Sequence, residues 1–159
     1  MRYLFFSACL LAFSATGLAS CGAEAPVEEA APAGIPGLTI TDGRMVLNAV
    51  EGNPAAVYFN LKYEGDKGVA IRKAAVEGAE SAMIHEYGMN AGNREMMEAL
   101  PIVLQKGTEL AFEPGSRHVM VMGVSPDFKP GDTTNVTLTV SGGDSATFVA
   151  EVKAAGDDS

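Results

Sequence analysis

From residue 38 onward, apolar and polar residues alternate in short runs. In AAVYFNLKYE (55–64), Val57, Phe59, Leu61 and Tyr63 fall on one face, and Tyr58, Asn60 and Lys62 on the other. A period of two marks a half-buried strand. Weaker alternation marks VAIRKAAV (69–76), AMIHEYGM (82–89), ELAFE (109–113), RHVMVMGV (117–124), TTNVTLTV (133–140) and ATFVAEV (146–152). LTITDGRMVLNAV (38–50) alternates on both sides of Asp42-Gly43, which reads as a turn. Further turn signals stand at residues 64–68, Pro114-Gly115, Pro130-Gly131-Asp132 and Ser141-Gly142-Gly143. The pattern predicts roughly seven to nine short strands and almost no helix, in an all-β antiparallel Greek-key β-sandwich over residues 38–154.

The ends of the chain follow other rules. MRYLFFSACLLAFSATGLAS (1–20) has one Arg, an apolar run and then small residues, the layout of a secretory signal. It ends in LASC, and a Leu and two small residues before Cys21 resemble the lipobox of bacterial lipoproteins. That resemblance implies a lipidated Cys21 at the mature N-terminus, in the bacterial cell envelope and facing the periplasm. Gly22 after the cysteine, in place of Asp, favours the outer membrane. The alternative is an ordinary signal peptide cut near Ala19. Residues 22–37 are rich in Ala, Pro and Glu and read as a disordered tether. Residues 155–159 read as a frayed acidic tail.

With Cys9 in the signal and Cys21 acylated, the folded part holds no cysteine. That excludes disulfides, thiolate nucleophiles, zinc–cysteine sites and iron–sulfur clusters there. It also excludes a blue-copper centre, which requires a thiolate. Twenty acidic residues against eleven basic ones, a net charge of −9, argue against nucleic acid and against electrostatic docking on an anionic membrane. No G-x-S-x-G elbow accompanies Ser116 or Ser125, so a hydrolase is unsupported.

The remaining anomaly is compositional. Both histidines, His85 and His118, and six of the eight methionines lie between residues 83 and 122. Taken singly, each has an ordinary explanation: Met fills gaps in cores, and a lone His is usually a surface residue. Glu86 beside His85 reads as a solvated strand charge, or as a carboxylate supporting that histidine. Together the residues are less ordinary. In RHVMVMGV, an extended chain points His118, Met120 and Met122 to one face and Val119 and Val121 to the other. A valine face serves a core, whereas an exposed face has no use for thioethers. Thioethers are soft, neutral ligands suited to Cu(I), and imidazole serves copper in either oxidation state. Unlike thiolates they form no disulfides, although Met can be oxidised to the sulfoxide.

His85, ten residues, Met96, twenty-one residues, His118, one residue, Met120: this H-x10-M-x21-H-x-M spacing resembles the periplasmic copper A chaperone (PCuAC) family. IHEYGM, LQKGTELAFEPGSRHVMVMGVSPDFKPGD and AAVYFNL resemble the segments around that motif, so the similarity spans most of residues 38–152. The resemblance implies a cupredoxin-like sandwich carrying one Cu(I) on His85, Met96, His118 and Met120, with Met89, Met97 and Met122 as auxiliary thioethers. Met97, next to Met96, offers the same donor one residue later. It further implies a carrier, not an enzyme, that passes copper to an oxidase subunit, notably the copper A centre of cytochrome c oxidase, or to another copper carrier. Contact with the membrane would be through the lipid alone. Two departures, NAVEGNPAAVYF without the family's Arg and MMEALP after the motif methionine, bear on the docking surface. Two other readings stay open: an envelope copper buffer with the same site, and a structural β-sandwich lipoprotein whose methionines are core.

Overall fold

The computed structural model describes residues 34–157. The signal segment, Cys21 and the tether up to residue 33 lie outside the described residues, as do 158 and 159. Ten strands and no helix make up the described chain: β1 Leu38–Val46, β2 Ala55–Tyr63, β3 Val69–Val76, β4 Ala79–Asn90, β5 Asn93–Glu98, β6 Ile102–Leu104, β7 Thr108–Phe112, β8 His118–Val124, β9 Thr133–Val140 and β10 Ser145–Lys153. They pair in the order β5-β4-β8-β2-β1-β10-β9-β3-β6, with β7 also on β2. Near one end of this path β3 lies close to β4 near the other, so the sheet curls around one core.

That core is the set of positions the alternation marked. Val57, Phe59, Leu61 and Tyr63 of β2 are buried, as are Val119 and Val121 of β8 and Val136, Leu138 and Val140 of β9. Phe59 and Phe112 stack at 4.1 Å between ring centres, a contact worth about 0.5–1.5 kcal/mol beyond the area it buries. Met45 is wholly buried here, the gap-filling use of methionine. Ile35 is also buried, so the segment composition marks as tether enters the fold before Leu38.

Three local expectations differ from the structure. Asp42-Gly43 does not turn the chain: β1 runs through it as one strand with a bulge, its register on β2 shifting between Thr41 and Arg44. Asp42 takes φ 57° and accepts a 2.7 Å hydrogen bond from Asn60 Nδ2 on β2. A Cβ on Gly43 would lie 2.7 Å from the Val149 carbonyl and 2.9 Å from the Phe148 ring, so only glycine fits. Past the bulge, β1 pairs parallel with β10, Arg44 opposite Glu151. The sheet is therefore mixed, not wholly antiparallel. Finally, β5 and β6 are strands that the pattern does not mark. NREMME has no apolar alternation, and IVL spans three residues.

Candidate metal centre

Two features of the backbone build the site. The first is an interrupted strand. β7 and β8 follow the same edge of β2, Phe112 opposite Phe59 and Val119 opposite Val57. Between those rungs β2 has one residue, Tyr58, while the other chain detours through Glu113–Arg117. Pro114-Gly115 turns the detour, and hydrogen bonds from Ser116 N–H to the Glu113 carbonyl (3.0 Å) and from Glu113 N–H to the Arg117 carbonyl (2.9 Å) close it. His118 is the first strand residue after the detour. The second feature is the length of β4. Its first half pairs with β8, and its second half leaves the sheet as a two-stranded ribbon with β5. His85 is where the two halves meet.

On β4 and β8, His85 stands opposite His118 and Met83 opposite Met120. Residues opposed in an antiparallel pair share a face. That face is the outer one, since Ile84 and Val119 between them are buried inside. The two imidazole rings meet edge to face, 5.9 Å between centres. This spacing accommodates one ion on two metal–nitrogen bonds of about 2.0–2.1 Å. Two tyrosines flank His118, Tyr58 at 6.3 Å and Tyr87 at 6.4 Å between ring centres. Among these rings His118 keeps 7% exposure, although it lies on the outer face.

The nitrogens differ in what they touch. His118 Nδ1 lies 3.1 Å from the Ser116 carbonyl inside the detour. Only a protonated Nδ1 can donate to a carbonyl, which leaves the Nε2 lone pair for a ligand. His85 Nδ1 is buried with no hydrogen-bond partner among the described residues, a costly state for a polar atom without an ion or water. Burial, and then the charge of a protonated His118, lower the pKa of His85, with Glu98 pulling the other way. His85 therefore stays a neutral imidazole, the form that ligates, at a pH where an ordinary histidine begins to protonate.

The ribbon carries the remaining motif residue. Met96 opposes Tyr87 and Glu98 opposes His85, so Met96 shares the histidines' face one rung further out. Arg94 fastens the ribbon: its guanidinium donates to the Gly115 carbonyl in the detour and lies over the Tyr87 ring, 4.3 Å from its centre.

The register also sorts the auxiliary methionines. Met97 opposes Glu86 and lies across Gly88, where a Cβ would come within 2.8 Å of its sulfur. It faces the side of the ribbon away from His85. Met89 opposes Arg94 near the ribbon's tip and is 70% exposed. Met122 continues the outer face below Met120, opposite Ser81. Glu86 is neither a solvated charge nor a support for His85: it pairs with Arg117 at 2.8 Å on the opposite face, both side chains largely covered. Among the described residues no three His, Cys, Asp or Glu side chains converge, so carboxylates and thiolates offer no competing centre there. Sequence reasoning alone did not find Tyr58, Tyr87, Arg94 or the Ser116 carbonyl, because their roles depend on which strands meet.

Comparisons with known proteins agree with this architecture. Residues 38–152 match the family described as "LpqE-like: Putative lipoprotein LpqE-like". "Putative lipoprotein Lxx21020" of Leifsonia xyli subsp. xyli is 25% identical over 138 residues, covering 86% of this chain and 82% of its own length. The copper-bound PCuAC domain of PmoF2 superposes with a TM-score of 0.61 at 20% identity, over 79% of this chain and 97% of that one. The Cu(I) form of DR1885 from Deinococcus radiodurans gives a TM-score of 0.56 at 26% identity, over 76% of this chain and 80% of that one. The fold is thus the cupredoxin-like β-sandwich of PCuAC domains, and the chain belongs to the LpqE-like lipoprotein family, of PCuAC type.

Proposed function

We propose that this protein carries one Cu(I) in the bacterial cell envelope, held by His85, Met96, His118 and Met120, and hands it to a copper-accepting protein. The observation that carries this reading is the His85–His118 rung. Two imidazoles face each other across one strand pair, and one has a buried nitrogen with no partner among the described residues. A methionine follows on the next rung, and a second extends on the ribbon. DR1885, similar in sequence and fold, has been solved in its Cu(I) form.

The donor set matches the task. Two neutral imidazoles and two thioethers leave a monovalent d10 ion with its single charge, and neither donor type suits Mg(II) or Ca(II). Without a thiolate the ion is bound firmly but exchanges. His118 is held in one tautomer by Ser116 and His85 is kept neutral by burial, so both rings present a nitrogen lone pair to the ion. Met96 stands on the ribbon, all of whose outer strand is exposed, and is the ligand an incoming donor displaces first. The protein acts as a carrier and catalyses no reaction. A lipid on Cys21 tethers it to a membrane, with the periplasm as its compartment and the outer membrane favoured. The acceptor is the copper A centre of cytochrome c oxidase.

Anaerobic titration with Cu(I) against a colorimetric chelator tests the binding step. One equivalent held by the wild-type chain is expected, and none would overturn the reading. Transfer is then followed by mixing two equivalents of the loaded protein anaerobically with an apo copper A domain, separating the two proteins and measuring the copper each retains. No transfer, together with copper sensitivity in a deletion strain of normal oxidase activity, would replace delivery with buffering.

A further inference from the structure

Along β4 and β8 the outward side chains form a ladder with rungs His85–His118, Met83–Met120 and Ser81–Met122. Met83 stands to His85 as Met120 stands to His118. Each is two residues along the same strand and on the same face, and the two rungs have the same pairing phase. In sequence terms, Met-x-His on β4 opposes His-x-Met on β8. Whatever reach lets Met120 join His118 on an ion lets Met83 join His85 on the same ion. The family motif includes only one of these mirror-related methionines.

Met83 has no task in the core. Ile84 beside it is buried, while Met83 is 38% exposed on the outer face. The only methionine of the described chain that fills the core is Met45. Met96, by contrast, belongs to a strand with all six residues exposed, joined to the detour by Arg94. A ligand on such an arm withdraws easily, and a ladder ligand does not.

We propose that Met83 is a further soft-metal ligand, so that His85, Met83, His118 and Met120 form a second complete His2Met2 shell for Cu(I), occupied when Met96 lets go. The ion then changes one thioether for another without losing its coordination number. The ribbon can open towards an acceptor while the copper stays on the sheet. The ligand class is a monovalent d10 cation, Cu(I) or its analogue Ag(I), because thioethers hold harder ions poorly. This proposal rests on the copper-carrier reading.

The test labels the methionine ε-methyl groups with 13C in the full domain and adds Cu(I) anaerobically. It compares the wild-type chain, Met96→Leu and the double variant Met83→Leu/Met96→Leu. Leucine preserves volume and apolarity, and circular dichroism checks that each variant folds. In Met96→Leu the Met83 methyl resonance is expected to move on copper addition. Affinity is expected to fall about tenfold in Met96→Leu and by a further factor of about 10–100 in the double variant. A Met83 methyl that stays still while Met96→Leu binds copper would overturn the proposal and leave the carrier reading intact. Equal affinity of Met96→Leu and the double variant would do the same. A wild-type chain that binds no copper would overturn both.

Discussion

The β9–β10 hairpin and the β4–β5 ribbon are both pairs of consecutive strands with short connections, yet they use their outer faces in opposite ways. On β9–β10 the inner face is Val136, Leu138, Val140, Ala146, Phe148, Ala150 and Val152. The outer face is dominated by hydroxyls paired across the strands, Thr137 with Thr147 at 2.9 Å and Thr139 with Ser145 at 3.2 Å. The inner side chains there are accounted for by packing and the paired hydroxyls by hydrogen bonds, although Val149 on the outer face is an apolar side chain 59% exposed. On β4 and its partners the inner face is ordinary too, with Ile84, Val119 and Val121. The outer face instead holds two imidazoles, one with an unpaired buried nitrogen, and thioethers that gain nothing from water. A sandwich needs only its inner face to fold, so the outer face of any strand pair is available for chemistry. The signature of chemistry is an outer face that stability does not explain.

This contrast separates fold from function, and the largest expected effect tests the fold alone. Leu138→Ala on β9 leaves a cavity in the core and should cost about 2–5 kcal/mol of stability. Chemical denaturation would measure that loss, while the copper affinity of the folded fraction stays at the wild-type value. A parallel loss of affinity would mean that the two walls are coupled and the separation is artificial.

His118→Ala attacks the other region. Removal of a ligand should weaken Cu(I) binding by at least about 100-fold, the upper range seen when only supporting partners of ligands are lost. The same change removes the hydrogen bond to Ser116, for which about 1 kcal/mol of stability is the expected cost. Chelator competition and denaturation on the same sample would show whether affinity suffers far more than stability. If stability fell by as much as Leu138→Ala costs, His118 would be a core residue, and its neighbours on the outer face would need another explanation.

The two regions were not equally legible from sequence. β9–β10 could be read in full, since alternation plus a Ser-Gly-Gly turn encodes a hairpin locally. The donor types of the metal face could also be read, because His and Met at fixed spacings are visible without a fold. What could not be read was pairing. That Met83 opposes Met120, or that Met97 lies on the wrong face while Met96 lies on the right one, follows from register, and register is set by contacts between distant segments. Asp42-Gly43 carries the residues of a turn, and only the partners of β1 make it a bulge. β5 is a strand because β4 pairs with it, despite the polarity of NREMME. The detour before His118 is written in Pro114-Gly115, but its use as a hydrogen-bond acceptor for His118 and Arg94 is tertiary.

Arg94→Ala would sharpen the comparison at the ribbon. The guanidinium joins the ribbon to the detour and covers Tyr87. Its loss should loosen Met96 without touching the core. Copper release to a chelator, followed by stopped flow, should quicken by about three- to tenfold, within the range for partners that orient ligands. The unfolding midpoint should move little, because the contact is exposed. Arg94→Lys, which keeps the charge but not the flat stacking surface, should fall between the two.

The smallest effect is one of pH, and its sign follows from His85. Burial and the neighbouring His118 hold its pKa below the ordinary value in the folded state, while the unfolded chain titrates near about 6.5. Between those two values the unfolded state binds more protons than the folded one. Stability of the copper-free protein therefore falls as pH drops through about 6.5 towards the folded value, and levels off below it. Above about 6.5 this histidine contributes no pH dependence. Denaturation of the apo protein across this window, compared with His85→Gln, isolates the effect: the slope should be shallower in the variant. The Thr-lined face of β9–β10 has no titrating group among its paired hydroxyls, so Thr147→Val should leave the slope unchanged. An equal slope in wild type and His85→Gln would show that the folded protein does not hold the His85 pKa below its unfolded value.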